Sequence, residues 1–535
     1  MRSTLSRAAG ITYGDVLETR ARITPARVAV EYEGHDFTFA ELNLMANQAA
    51  WKLLDLGTTQ ETPIGVLSEN SLDYLALMYA AAKVGTPLAG LNWRLRAPEL
   101  AASMTVTEPD LLFVSDQYRD LALDAVARLP EDRRPRVIEL ARATADDGRA
   151  ALTPALAHAE SANPGVEVDP EQVMLIIYTS GTTGIPKGAA LSHRSLLARA
   201  SIMSTEMRLE PEDNYVAWSP MFHMACSDYL LLTHALGGKV LLLAKFDTDL
   251  IVDFLTRERV GWLLIMPGIL DRMTDALRAD PRPRKPVKYV GTMADLSPLE
   301  SISNITDALG ASYFNTFGTT EVGTLPGASS FIPPGADPTV LSKDQSTFCQ
   351  IRVVDQDGQD VPPKGEGEML IRTATMFSGY WNNEQATREC TAGGWYHTGD
   401  TVRLHADGTY DYLGRLKYMI KSGGESIYPS EVEQVLLDHP KVLEASVIKV
   451  PDEKWSEVPA AYLAADGDVT AEELIEFCAP RLARYKLPKH FRFIGIEEFP
   501  RNVTGKVERL RLEERFARGP AQGWMAEGDT VGAQP

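Results

Sequence analysis

At 535 residues, with 44% hydrophobic, 24% charged and 8% aromatic side chains, the chain is too long for one hydrophobic core and too apolar for a disordered or fibrous protein. Its 73 acidic against 53 basic residues give a formal net charge of -20, which repels nucleic acid and anionic lipid, so a polyanionic ligand must meet a local basic site. The four cysteines, Cys226, Cys349, Cys390 and Cys478, lie far apart with no CxxC or Cys/His ligand spacing, which argues against a disulfide framework or a zinc site and fits a reducing cytoplasm.

The first thirty residues carry arginines but no apolar run that could serve as a signal segment. No stretch elsewhere approaches the roughly 20 apolar residues of a membrane helix, so the chain reads as soluble and unprocessed, without stable membrane insertion. FTFAELNLMANQAAWKLLDLG has helical apolar spacing, with Leu42, Ala46, Ala49, Ala50, Leu53 and Leu54 on one face before Gly57 stops it. PIGVLSEN predicts a short buried strand. DYLALMYAAAKVG followed by GTPLAGLN, and DLLFVSD followed by a helical stretch, repeat the strand and helix alternation of a mostly parallel sheet. The fold class is therefore α/β, a large N-terminal domain of mostly parallel sheets flanked by helices. Residues 130–170 are polar and rich in turn formers, and read as a surface excursion without chemistry.

VMLIIYT at 173–179 is apolar and β-prone, and SLLARASIMS after His193 reads as helix. The segment YTSGTTGIPKG, residues 178–188, is thus expected to join a strand to a helix, where phosphate loops belong. Gly181, Gly184 and Gly188 permit close backbone approach, Thr179, Ser180, Thr182 and Thr183 supply hydroxyls, and Lys187 supplies a cation, a set able to wrap a polyphosphate. The segment does not fit GxxxxGK[ST], because Gly188 follows Lys187 where a Walker loop needs Ser or Thr.

The loop resembles the phosphate-binding signature of the superfamily of acyl- and aryl-CoA synthetases, luciferases and peptide-synthetase adenylation domains, and the similarity runs from about residue 10 to 515. SPMFHMA matches its next element, which implies an acyl pocket flanked by His223, with Trp218, Met224 and Cys226 nearby; a lone histidine there would otherwise read as packed core. YFNTFGTTEVG resembles the adenine- and metal-binding strand. It implies nucleotide contacts from Asn315, Thr316, Phe317, Gly318, Thr319 and Thr320, with Phe317 near the base and also in the acyl pocket, and Mg²⁺ held by Glu321 with Thr320. A hard ion bridging phosphates needs only one or two protein carboxylates. Relatives often read GGAPLSP where this chain reads TMADLSP, so Thr292, Met293 and Ala294 are implied at the nucleotide site, and Met293 also narrows the acyl pocket towards a short, medium-chain or aryl acid.

GGWYHTGD ends in Asp400, implied to accept the ribose hydroxyls. YLGRLKYMIKSGGESIYPSEVE matches the passage between the family's two domains, with Arg415 and Lys421 near the nucleotide and Lys417 as hinge. The position after Lys417 is often acidic in relatives and is Tyr418 here. The resemblance therefore implies an adenylate-forming domain over residues 1–415, a mobile α+β C-terminal cap over 416–516 and a mobile tail over 517–535. Within the cap, Ser422, Gly423, Gly424 and Glu425 resemble the loop that meets the thiol arm of coenzyme A, WSEVP has Ser456 where Gly is usual, and the basic run RLARYKLPKHFR could receive CoA phosphates or be a solvated helix end. FPRNVTGKVER places Lys506 at the catalytic lysine position.

The implied activity is that of an ATP-dependent carboxylic acid:CoA ligase. Acid and MgATP give acyl-AMP and pyrophosphate, with Lys506, Lys187, Glu321 and Thr179 as the catalytic set; the cap then turns about Lys417 and CoA displaces AMP. An amine or a carrier-protein thiol as acceptor stays open, as does a nucleotide-binding protein without catalysis, against which the complete set Lys187, Glu321, Asp400, Arg415 and Lys506 argues. Homodimerisation is likewise left open.

Overall fold

The computed structural model describes residues 10–145, 147–179, 186–292, 297–324, 330–336, 341–422, 425–452, 454–501, 506–518 and 525–526. Of the sequence-derived site residues, Ser180, Gly181, Thr182, Thr183, Gly184, Met293, Ala294, Gly423 and Gly424 lie outside them.

Two large sheets lie within residues 28–380. The first runs Phe331–Ile332, Ser312–Phe314, Val287–Gly291, Val260–Leu264, Asn214–Ala217, Val240–Leu242, Val28–Tyr32 and His35–Thr38, parallel except at its two ends. The second runs Gly379–Tyr380, Lys187–Ser192, Val173–Thr179, Leu88–Leu91, Ile64–Leu67, Leu111–Ser115 and Arg136–Leu140, again parallel apart from its Lys187–Ser192 and Gly379–Tyr380 edge. Helices follow the strands as the alternation predicts. The Phe39–Asp55 helix is held at its start by a reciprocal cap, Thr38 with Glu41, and buries Leu42, Ala46, Ala49, Ala50 and Leu53. Gly57 stands at φ 80°, a conformation that costs other residues more.

The 130–170 stretch is more ordered than its composition predicts. Arg136–Leu140 pairs parallel with Leu111–Ser115 as the edge strand of the second sheet, and Asn47, Gln48 and Trp51 donate to the carbonyls of Ser161, His158 and Ala162. Edge strands need only one buried face, so Arg136 and Glu139 stay exposed and hide the strand from a hydrophobicity pattern.

A four-stranded antiparallel sheet, Cys349–Val354, Glu366–Thr373, Tyr396–Leu404 and Tyr410–Arg415, precedes a 3₁₀ turn at Leu416–Tyr418. The strands after the turn form a separate sheet, Ile420–Ser422, Glu425–Ile427, Val442–Asp452, Ser456–Ala465 and His490–Phe493, which Met525–Ala526 joins at the edge. This sheet has its own apolar cluster, including Ile420, Ile427, Val432, Leu436, Val447, Leu463, Leu474 and Phe491, as an independently packed unit needs.

Candidate functional site

The strand before the glycine-rich segment pairs with the strand after it, so a strand and not a helix follows Lys187. Val173–Thr179 and Lys187–Ser192 are antiparallel, with Lys187 opposite Thr179, and the Thr179 hydroxyl donates to the Lys187 carbonyl at 3.4 Å. The expected strand-to-helix joint fails because GAALS after Lys187 is apolar and buried, and it pairs on both sides before Ser192 caps the His193–Glu206 helix. Lys187 thus stands on a strand, and its Nζ lies 4.8 Å from the centre of the Tyr380 ring on the neighbouring strand.

At the second candidate segment the chain leaves Ser312–Phe314 and makes a tight turn. Thr319 and Gly323 exchange backbone hydrogen bonds, and a Cβ on Gly318 would come within 2.1 Å of the Gly323 carbonyl oxygen, so this position admits only glycine. The turn presents Thr320 and Glu321. Glu321 is 7% exposed, its Oε1 accepts the Tyr380 hydroxyl at 2.7 Å, and its carbonyl accepts Phe377 N–H at 2.8 Å. The Thr320 carbonyl accepts Arg199 Nη2 at 2.8 Å. Phe317 lies against Tyr412, ring centres 5.4 Å apart, and Thr316 donates to the Thr324 carbonyl.

The Asn315 side chain donates to the Leu341 and Ser342 carbonyls and accepts the Lys343 ammonium at 2.8 Å, so it braces the following segment. Thr292 is tied by its hydroxyl to Ser297 and by its carbonyl to Tyr313.

Asp400 and Arg415 face each other across adjacent strands, with Arg415 Nε 2.9 Å from Asp400 Oδ1. The Asp400 side chain is 1% exposed, and neither carboxylate oxygen has a well-directed hydrogen bond. Burial pushes its pKa up to about 6, Arg415 and Lys506 pull it back, and Glu321 raises it. A buried carboxylate is a strong acceptor for a pair of ribose hydroxyls. Lys506 itself is exposed. Its charge reaches Asp400 and also His223, whose pKa burial and then Lys506 lower to about 4, leaving the imidazole neutral. The unit after the 3₁₀ turn therefore presents Lys506 to the first unit, and Arg511 Nη2 meets Glu99 at 3.8 Å across the same boundary.

Of the acyl-pocket candidates, His223 caps the Met224–Leu236 helix through Nδ1, which accepts Ala225 N–H at 3.1 Å. Trp218 donates its indole N–H to the Leu264 carbonyl and packs edge-on against Phe246. Cys226 is fully buried beside Ser219 and Tyr215, burial pushes its thiol up to about 12, and together with Met224 it packs in the main core.

Lys417 lies in the connecting turn, its Nζ 4.6 Å from the Tyr418 ring and its carbonyl accepting Lys449. Arg509 stacks on the same ring at 5.3 Å, so an aromatic residue at 418 gathers two cations. Lys421, Ser422 and Glu425 share the Ile420–Ser422 and Glu425–Ile427 hairpin, where Ser422 pairs with Ser456 at φ 70°. Sequence reading missed Arg199 and Tyr380. Arg199 is an arginine on the buried side of an amphipathic helix, between Leu196 and Met203, which signals a buried ion pair; it meets Asp228 at 3.1 Å.

Residues 17–381 match the family model for the AMP-binding enzyme, and residues 431–506 match the model for the AMP-binding enzyme C-terminal domain. The chain belongs to the AMP-binding enzyme family. Over 506 residues this AMP-binding enzyme is 33% identical to the 2-succinylbenzoate--CoA ligase of Bacillus cereus, covering 93% of the chain and 97% of that relative. Its fold is similar to o-succinylbenzoate CoA synthetase from Bacillus subtilis in complex with the acyl-adenylate intermediate, with TM-score 0.81, 26% identity and coverage of 95% and 98% of the two chains. It is also similar to that synthetase in complex with ATP and magnesium ion, at TM-score 0.80, 26% identity and coverage of 93% and 98%. Among its described residues, no group of three or more His, Cys, Asp or Glu side chains could hold a metal ion by itself, and no helix is long and apolar enough to cross a membrane. A single buried carboxylate, Glu321, fits an ion that takes most of its oxygens from phosphate and water.

Proposed function

We propose that this chain is an AMP-forming acid:CoA ligase acting on an aryl acid of the 2-succinylbenzoate type. The observation that carries the reading is the buried Asp400 carboxylate with Arg415 Nε 2.9 Å away on the adjoining strand. The name of the relative 33% identical over nearly the whole chain supports the acid and the acceptor.

Asp400 accepts the ribose hydroxyls, Arg415 holds it in place from the adjoining strand, and Phe317 offers a ring face to the base. The triphosphate runs between Thr179, Lys187 and the Thr320–Glu321 turn. Glu321, with Thr320 beside it, would hold Mg²⁺, which would supply neutralisation of phosphate charge. The substrate carboxylate oxygen attacks the α-phosphorus in line, the new P–O bond forms as the bond to pyrophosphate breaks, and Lys506 stabilises the charge on the nonbridging oxygens. No enzyme nucleophile takes part. Neutral His223 flanks the acyl chain without competing with Lys506 for the anion.

Residues 1–415 form the adenylate-forming domain, 416–516 the cap and 517–535 the tail. Turning at Lys417 withdraws Lys506 and brings in residues 422–425, and the CoA thiolate then adds to the acyl carbonyl and expels AMP. The enzyme works in the cytoplasm, where its free cysteines stay reduced.

The test is pyrophosphate release with 2-succinylbenzoate, benzoate and straight-chain acids, with and without CoA, with thioester identified by mass. Strong release and a CoA thioester with 2-succinylbenzoate are expected. Release without thioester moves the acceptor to an amine or carrier thiol, preference for long fatty acids overturns the substrate, and no release with any acid overturns the enzyme reading.

A further inference from the structure

We propose that Tyr380 is a positioning residue that fixes the candidate metal carboxylate and the candidate phosphate lysine relative to each other, using the two ends of one side chain. The proposal rests on the roles assigned above to Glu321 and Lys187. Its hydroxyl donates to Glu321 Oε1 at 2.7 Å, and its ring face lies 4.8 Å from Lys187 Nζ. These two groups come from distant parts of the chain, and no hydrogen bond joins them directly among the described interactions.

Local structure explains why the tyrosine can serve as a rigid spacer. Gly379–Tyr380 is a two-residue strand whose register is pinned by Ala189 opposite Tyr380 and by Trp381 N–H on the Gly188 carbonyl at 2.7 Å. On its other side Tyr380 N–H donates to the Thr387 hydroxyl at 2.8 Å. The ring packs edge-on against Phe377 with centres 5.0 Å apart, and Phe377 N–H holds the Glu321 carbonyl. Glu321 is therefore tied to the 377–380 segment twice, once through its backbone and once through its side chain. With Oε1 occupied by the hydroxyl, the carboxylate cannot rotate freely and Oε2 is the oxygen left for an ion, which is how a hydrogen bond behind a ligand sharpens metal binding. The ring meanwhile keeps the Lys187 ammonium on the same side, where its charge and that of the ion would act on one polyphosphate.

The experiment measures ATP binding to the full chain by titration calorimetry without acid, over a range of Mg²⁺ concentrations, for the parent, Tyr380→Phe, Tyr380→Leu and Glu321→Gln. Tyr380→Phe keeps the ring and removes the hydroxyl. It is expected to raise the Mg²⁺ needed for half-maximal ATP binding about tenfold while leaving affinity at saturating Mg²⁺ within about twofold. Tyr380→Leu removes both ends and should add a loss of about fivefold at saturating Mg²⁺; Tyr380→Met takes its place if the Leu variant fails to fold in a thermal melt. If Glu321→Gln shifts the Mg²⁺ requirement and Tyr380→Phe does not, the positioning role is overturned while the metal reading survives. If Glu321→Gln itself leaves the Mg²⁺ requirement unchanged, the metal reading fails, and the proposal with it. A uniform loss in Tyr380→Phe, equal at low and saturating Mg²⁺, marks a merely structural role and also overturns it.

Discussion

Replacing Asp400 by Asn should make the nucleotide-free protein more stable and the nucleotide complex weaker. Burial raises the Asp400 pKa from 3.8 to about 6 in the folded chain, even after the attraction of Arg415 and Lys506 has been counted. The native state therefore holds this proton more tightly than the unfolded chain does, and stability falls as pH rises through the window between these two values. Above pH 6 the full penalty is present: a shift of about two units corresponds to about 3 kcal/mol at pH 7 and about half of that at pH 5. Asn has the shape of the carboxylate and no charge to desolvate, so Asp400→Asn removes this penalty. The assay is urea unfolding followed by tryptophan fluorescence, without nucleotide, at pH 7 and pH 5. The variant should unfold at higher urea at pH 7, and the gap should narrow by about half at pH 5. Titration with AMP should show the opposite sign, a loss of about tenfold or more, because a charge-assisted bond to ribose is replaced by a neutral one. A variant less stable than the parent at pH 7, or a gap indifferent to pH, would refute the idea that Asp400 is held ionised at a cost for the sake of a ligand.

Lys506→Ala should lower acid-dependent pyrophosphate release about 10²- to 10³-fold, the scale of one lost electrostatic donor, while thioester formation from supplied acyl-AMP and CoA continues; equal loss in both half-reactions counts against a cap that exchanges its working face. Ser456→Gly should stabilise the protein by about 1 kcal/mol, since a serine held at φ 70° is strained and glycine is not, and unchanged urea midpoints would show that the strain is not there. Arg199→Ala should destabilise by about 3–5 kcal/mol because it strands Asp228 in the core, and adding Asp228→Asn should recover part of that loss in the same melt; a double variant no better than the single one would contradict the ion-pair account.

Much of the fold was legible because parallel sheets buried on both faces write themselves as short apolar runs. Ile64–Leu67, Leu88–Leu91 and Leu111–Ser115 are fully buried strands that composition and turn residues mark clearly. Arg136–Leu140 was not legible, since a sheet edge leaves polar side chains in solvent, and neither was the strand at Lys187–Ser192, whose six residues can be read as the lead-in to the helix. Lys187, Glu321, Asp400, Arg415 and Lys506 are visible in the sequence because each stands inside a glycine-rich or otherwise distinctive motif. Tyr380 is not, because its meaning lies in pairing across Lys187–Ser192 to residues nearly two hundred positions away. Asn315 and Cys226 sit inside or beside motifs and are also bound into the fold, the one by hydrogen bonds and the other by burial.

The charge balance explains why the site has to be assembled from several parts of the chain. A molecule with net charge -20 repels a nucleoside triphosphate, and a permanently clustered set of cations able to overcome that repulsion would destabilise the unliganded protein. Here the cations are separately compensated. Lys187 rests on a tyrosine ring, Arg415 is paired with Asp400, and Lys506 stands after the 3₁₀ turn, where its charge reaches Asp400 and His223. Each is tolerable alone, and on the function proposed above ATP would be the ligand that makes all three favourable at once. A cap carrying one of the three would then withdraw it after adenylation, and with pyrophosphate gone the remaining pair would serve AMP. The proposed mechanism predicts that pyrophosphate departure precedes cap rotation, and rapid-quench measurement of pyrophosphate release against a fluorescence probe on residues 416–516 checks it: rotation that precedes release would require Lys506 to act on a site it has already left.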